Sequence, residues 1–396
     1  MDDKLREEVS QIEQETTNLK NYWKRRDEIL LTDREIINLV KPIAKTDQKN
    51  WVTNEPKVFF DTSRSLLSIN APRFRLPLLM NHSPEEKDRM NKAERLCIGI
   101  YRALNDRHVE LGGVNWLWDL AYWMLLGWYS VFSVVRKGKD GIEFIADLFD
   151  PLTIYPQWDT EGLTRCVRSY EVDRLDAIAM ATYYEEQGLE FDFTEPSNND
   201  AKVSVTNYWR RTYKNKKPII ENSILIAGQS VKPLTIQKKL NRIPIHVGAI
   251  GSHDRITDNW MDRKGESIIS ANKDAYAYLN GMLALMAQIL SENAYPNRVW
   301  SLMNPHAGAP GKVKGFGEDI FLKPQEKIEL LRGSTTPEET NLLLTYFGGQ
   351  IAKGSVPSTV YGSIPIELSG FAISQLMAAI KYKLGMYLNA MQMVTG

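Results

Sequence analysis

The last third of the chain constrains the fold most. Residues 263–394 read as two long helices separated by an insert, then a loop of small residues and a further long helix. The spacing predicts a first helix over about 265–292. Ile268, Ala275, Leu279, Met282, Met286 and Ile289 recur on one face, and Tyr276, Leu283 and Leu290 widen the stripe. Tyr295-Pro296 closes it, because the residue before a proline is pushed out of the α region. Thr336, Pro337 and Glu339 supply a cap, a first-turn proline and a capping-box glutamate for a second helix through about 353. Leu343, Phe347 and Ile351 stripe it. The third helix, over about 371–394, carries Ile373, Met377, Ile380, Leu384, Tyr387 and Met391. Before it lies 354–369, too rich in Gly, Pro and Ser to be helical. The insert, 295–333, holds short candidate strands at 298–303, 319–322 and 328–331 around a Gly/Pro/Lys loop at 304–317.

The preceding residues mix helices and strands. A polar helix over 3–30 has one narrow stripe, Leu5, Val9, Ile12, Thr16, Leu19 and Trp23, expected to lie on its own body. Thr32 and Glu35 form a capping box for a separate short helix stopped by Pro42. Residues 47–57 are polar and irregular, and Ser65-Leu-Leu-Ser-Ile69 fits a helix turn or an edge strand. Ser83-Pro-Glu-Glu86 opens a helix through about 106, with Leu96, Ile100 and Leu104 as its expected buried face. An aromatic helix at 114–126 runs into a hairpin at 129–149. Further strands are expected at 163–172, 203–213, 219–220, 223–226 and 243–250. A helix at 173–187 offers Ile178 and Tyr183 to the core.

Charge and cysteine content exclude several classes. Lys+Arg and Asp+Glu are each 49, so no global basic field holds nucleic acid tightly. Cys97 and Cys166 sit in apolar-periodic stretches and read as reduced, buried thiols. The acidic start, Met1-Asp-Asp-Lys4, is no signal peptide. Residues 116–135 carry one charge, Asp119, and approach membrane-spanning length. Gly127 and the β-rich alternation after it argue instead for a buried helix feeding the hairpin.

Chemistry-bearing motifs are sparse. His306-Ala-Gly-Ala-Pro-Gly-Lys-Val313 departs from a phosphate loop at His306 and Val313, and no helix pattern follows. The five histidines never take metal-ligand spacing, and His246 reads as a core or edge residue. Asp254, Asp258 and Asp262 lie beside Arg255 and Arg263 and read as a solvated charged loop. Arg210-Arg-Thr-Tyr-Lys-Asn-Lys-Lys217 reads as a solvated hairpin tip. No catalytic residue, cofactor or metal is expected.

The order of these elements resembles the portal proteins of tailed bacteriophages, the rings at one capsid vertex through which DNA passes. The aromatic helix and hairpin lead into Asp150-Pro-Leu-Thr-Ile-Tyr-Pro156 and Asp159-Thr-Glu-Gly162, similar to a run in many portal wing domains. Ile243-Pro-Ile-His-Val247 resembles the strand before the long helix. Helix, insert and helix resemble the stem–clip–stem unit. Loop 354–369 with Ser369-Gly-Phe-Ala-Ile-Ser-Gln375 resembles the tunnel loop and long wing helix.

The resemblance covers about 50–394 and implies an α+β subunit. It has N-terminal helices at 1–44, a mixed α/β wing at 45–262, a stem helix at 263–294 and a small α/β or β clip at 295–333. A second stem helix at 334–353, a tunnel loop at 354–369 and a long wing helix at 370–396 complete it. The expected crown is minimal or missing, or belongs to a longer chain. The resemblance further implies a dodecameric virion ring assembled in the host cytoplasm, with no membrane. Its implied partners are duplex DNA, the terminase large subunit, a major capsid or scaffolding protein and a head–tail adaptor. Lys353, Ser355, Val356, Thr359, Val360 and Tyr361 would face the DNA, and Asn304, His306, Lys312 and Lys314 would form the clip's partner surface. The alternatives are another phage ring component, such as an adaptor or baseplate protein, or a metal-dependent enzyme with a scattered site.

Overall fold

A computed structural model describes residues 3–39, 52–68, 83–138, 141–186, 202–251, 264–294, 298–301, 319–322, 338–355 and 370–395. Among them the fold is mixed α+β, with eight helices, antiparallel sheets of three and five strands, and one parallel strand pair. The chain divides into two compact units. One is Met1–Arg34, Ser63–Ile268 and Lys381–Gly396; the other is Glu35–Thr62 and Ile269–Ile380.

In the first unit, α1 (Asp3–Ile37) is one continuous helix. The expected break at Thr32 does not occur. The Thr32 hydroxyl donates to the Glu28 carbonyl at 2.8 Å, one turn back, so it does not cap a new helix. The stripe buries Ile12, Thr16, Leu19 and Trp23 and continues through Arg26 and Leu30. The Trp23 indole donates to the Pro156 carbonyl at 2.9 Å, and Arg26 donates to the Ile154 carbonyl at 2.9 Å. The guanidinium also holds Asp27 at 2.7 Å and lies over the Trp23 and Trp128 rings. Burial still pushes the Asp27 carboxyl above its ordinary pKa, with Arg26 opposing.

Helix α2 (Glu55–Ser68) takes in only the last three residues of the stretch expected to be irregular, of which 52–54 are indeed non-helical, and settles Ser65 to Ser68 as helix. Helix α3 (Pro84–Glu110) starts as expected, with both halves of the Ser83/Glu86 capping box formed. Its buried face is not the expected one. Leu96 is exposed, while Ile100 and Leu104 are half-buried. Helix α4 (Trp116–Leu125) is capped by Asn115 and followed by strand β1 (Trp128–Gly138), which pairs with β2 (Gly141–Leu148). The lone charge in this stretch is fully used. Asp119 accepts from Arg64 at 2.8 Å and the Val114 amide at 3.2 Å, and meets His108 at 2.7 Å. No helix among the described residues is long and apolar enough to cross a membrane.

The Asp150 side chain caps a 3-10 turn at Pro151–Thr153, and β3 (Ile154–Asp159) and β4 (Gly162–Val172) follow. After α5 (Arg174–Glu186) come β5 (Val203–Lys214), β6 (Lys217–Ile226), β7 (Gln229–Ile236) and β8 (Ile245–Ala249). The sheets run β2-β1-β8 and β3-β4-β5-β6-β7. Strand β7 has no counterpart in the sequence reading, because Lys232-Pro233 masks it. It is an edge strand, where proline costs no ladder bond. Phe149, Ile154, Cys166, Trp209, Ile220, Ile243 and Ile245 join both sheets in one core. Helix α5 contributes Ala177 and Ala181 to a second core with Val203, Val205 and Ile226. The expected core residue Tyr183 is exposed instead.

The first of the long helices expected in the last third starts later than its stripe predicts. Residues 264–268 are not helical and are bonded elsewhere: Glu266 N donates to the Ile250 carbonyl at 2.8 Å, and Ile268 N to the Leu125 carbonyl at 2.9 Å. Gly265, at φ +82°, lies so close to Trp128 that an added Cβ would meet the indole nitrogen at 1.9 Å. Helix α6 therefore spans Lys273–Ala294. In the second unit it pairs with α7 (Glu338–Gly354), and beyond its end β9 (Arg298–Ser301) pairs in parallel with β10 (Asp319–Leu322). Helix α8 (Gly370–Thr395) buries Leu384, Tyr387 and Met391, three residues of its predicted stripe. The Thr336-Pro337 cap, the 328–331 strand and the 252–263 loop lie outside the described residues.

Candidate functional site

The candidate site is the end of α7, where the chain enters the loop expected to carry function. Two contacts set its geometry. Asn272, just before α6, meets Ile351 and Ser355 at the end of α7, and the Tyr278 and Phe347 rings stack at 5.8 Å and 11°. Partners later in α6 pair with residues earlier in α7, so the helices run antiparallel. The insert between them therefore leaves from the end opposite Asn272.

Asn272 is 3% exposed. Its amide donates to the Ile351 carbonyl at 3.0 Å and to the Ser355 hydroxyl at 3.1 Å. The last carbonyls of a helix have no partner within it, and here a side chain supplies one. Gly354 makes the approach possible. A Cβ there would sit 1.8 Å from Asn272 Oδ1. Tyr276 is buried beside them, and burial raises its hydroxyl pKa above the ordinary value while Ser355 and Asn272 act in the opposite sense. Lys353 is exposed in the last turn, where its charge complements the helix dipole. Thr53 N donates to Asn280 Oδ1 at 3.0 Å, fastening residues before α2 to the side of α6.

Lys353 and Ser355 are thus adjacent to one another and to a built anchor. Val356, Thr359, Val360 and Tyr361 lie outside the described residues, as do Asn304, His306, Lys312 and Lys314 and the triplet Asp254, Asp258 and Asp262. The 304–317 loop falls within the crossover that joins parallel strands β9 and β10. Sequence reasoning missed Asn272, treating it as helix interior. Ser270-Ala-Asn272 before Lys273-Asp274 has the composition of a helix start, which would have found it.

The pair faces solvent with large apolar groups. Tyr278, Leu285, Leu342, Leu343 and Tyr346 are all exposed. Leu343 was expected on the buried stripe. Phe347 is half-buried and Ile351 buried, so coverage of the α7 stripe increases toward the helix's C-terminal end.

Elsewhere in the first unit, a cavity of about 500 Å³ opens between α3, the β2-β1-β8 sheet and the end of α8, lined in part by Cys97, Tyr129 and His246. Burial and nearby Arg242 hold the His246 pKa below its usual value, which favours the neutral ring. Among the described residues no group of three His, Cys, Asp or Glu side chains could hold a metal ion. No known protein-family model matches the chain, and no curated protein matches it in sequence.

Proposed function

We propose that the chain is a portal-type ring subunit of a tailed bacteriophage. The ring would admit the genome during packaging and release it at ejection. The observation that carries this reading is the α6–α7 pair. It is an antiparallel helical hairpin with an insert at one end, a side-chain-anchored loop at the other, and exposed Tyr278, Leu285, Leu342, Leu343 and Tyr346 along it. Helix α6 has 22 residues, about 33 Å at 1.5 Å per residue. Large apolar groups collected on one exposed element mark an interaction surface. Neighbouring copies, repeated around an axis, would cover them through head-to-tail contacts that close into a ring.

In this reading the helices are the stem, and the insert with β9 and β10 is the clip. The clip would present Asn304, His306, Lys312 and Lys314 to the terminase large subunit and later to an adaptor. The loop after Ser355 is the narrowest part of the channel. It would touch DNA through Lys353, Ser355, Val356, Thr359, Val360 and Tyr361. Residues 354–370 contain no lysine or arginine, so no fixed ion pair would arrest a sliding duplex. ATP hydrolysis belongs to a partner.

The deciding experiment is negative-stain imaging with light scattering of the purified protein. A closed ring with a channel wide enough for duplex DNA is expected. A monodisperse monomer at micromolar concentration, with and without capsid partners, refutes the reading. Within a ring, glycine at Val360 and Tyr361 should preserve assembly and let packaged DNA slip back.

A further inference from the structure

The β5–β6 hairpin ends in a turn that works against its own stability. Lys214 and Lys217 stand directly opposite each other as the last cross-strand pair. Like charges in that position repel. Between them Asn215 and Lys216 both have positive φ, +52° and +61°. Such two-residue turns favour glycine at the second position. Asparagine tolerates this conformation, but lysine is strained in it. A glycine at 216 would remove the strain and one of three crowded charges, yet the position holds a lysine.

The surrounding charges are already paired. Arg210 binds Glu221 at 2.6 Å, and Arg211 binds Asp159 at 2.6 Å and donates to the Glu161 carbonyl at 2.9 Å. The Tyr213 hydroxyl donates to the Glu161 carboxylate. Lys214, Lys216 and Lys217 are exposed and make no ion pair among the described residues. The arginines thus serve carboxylates within the sheet, and the lysines alone project beyond it.

We propose that this tip contacts the sugar–phosphate backbone of duplex nucleic acid, without reading sequence. A polyanion relieves the repulsion between the opposed ammoniums. Lysine is a compact charge on a flexible stem and suits phosphate oxygens approached from varied angles. An acidic protein partner fits less well. Residues 214–217 include no apolar side chain, whereas protein interfaces deplete lysine and centre on desolvated anchors. The contact is separate from the loop after α7, and the inference stands whether or not the chain forms a ring.

The test measures binding of a short fluorescent duplex of random sequence to the full-length protein between about 50 and 200 mM salt. Each phosphate contact contributes about −0.9 to the slope of log affinity against log salt. Changing Lys214, Lys216 and Lys217 together to alanine should make the slope shallower by about 2.7. Across that salt range the unaltered protein should lose about 40-fold more affinity than the variant. Arginine at the same three positions should keep the steep slope, which separates charge from folding. An unchanged slope in the alanine variant overturns the proposal. So does displacement of the duplex by polyglutamate at equal charge concentration, which would assign the tip to an acidic protein.

Discussion

The anchor at the end of α7 makes a prediction that pairwise energies can refute. Asn272→Ala removes two hydrogen bonds, to Ile351 at 3.0 Å and to Ser355 at 3.1 Å. It leaves the carbonyl of buried Ile351 without that donor. Neutral bonds contribute about 1 kcal/mol each and an unsatisfied buried acceptor costs about 1–3 kcal/mol, so the loss should reach about 2–3 kcal/mol. Gly354→Ala acts on the same bonds from the other side. Its methyl would lie 1.8, 2.4 and 2.6 Å from the Oδ1, Cγ and Nδ2 atoms of Asn272. The amide must rotate away and forfeit its partners, again at about 2–3 kcal/mol. All three obstructing atoms vanish in the Asn272→Ala background. The double variant should therefore be little worse than either single one, with a coupling energy of about 2 kcal/mol. Hydrogen exchange at the last-turn amides of α7 reads this locally, without requiring the two units to unfold together. Additive losses within about 0.5 kcal/mol would show that Gly354 is not held by Asn272 and would sink the argument.

Gly127→Ala should lower stability by about 3 kcal/mol or more in thermal melts, because strain and overpacking combine. Gly127 has φ +92°, and a Cβ would come within 2.9 Å of backbone atoms of Gly265 and Glu266; a loss under 1 kcal/mol, roughly what helix-interior Ala/Gly exchange costs, refutes the close approach. Burial raises the Asp150 carboxyl above its ordinary 3.8, with the Leu152 amide and Arg34 opposing. Because the folded pKa is the higher one, its contribution is full below 3.8 and lost as pH rises through the raised value. The protein should therefore gain stability relative to Asp150→Asn as pH falls through that window, and the opposite trend in paired melts refutes the assignment. Cys166 is fully buried, and burial pushes its thiol pKa well up. An alkylating reagent should modify half-buried Cys97 in the folded protein and reach Cys166 only on unfolding, so equal rates would contradict the core described above.

The sequence by itself determined the elements whose cause is local. Ser83 and Glu86 cap α3 because both partners lie within one turn. Alternation and turn residues placed the β1–β2 hairpin, β4, β5, β8 and two pieces of β6, though not β3, and the stripe ending in Leu384, Tyr387 and Met391 marked α8. Periodicity also showed which face of α1 would be buried, down to Trp23. It did not show that Thr32 would bond backward rather than cap, since the same hydroxyl serves either geometry. Only the tertiary structure decided what depends on distant neighbours. Ile268 was taken out of α6 because the Leu125 and Ile250 carbonyls bind its segment in a non-helical path. Leu96, Tyr183 and Leu343 lie exposed because an apolar residue is buried only where some other element covers it. Asn272 and Gly354 show the same limit at the candidate site. Their partnership spans two helices, and no spacing along the chain records that one amide would reach across and require a missing methyl.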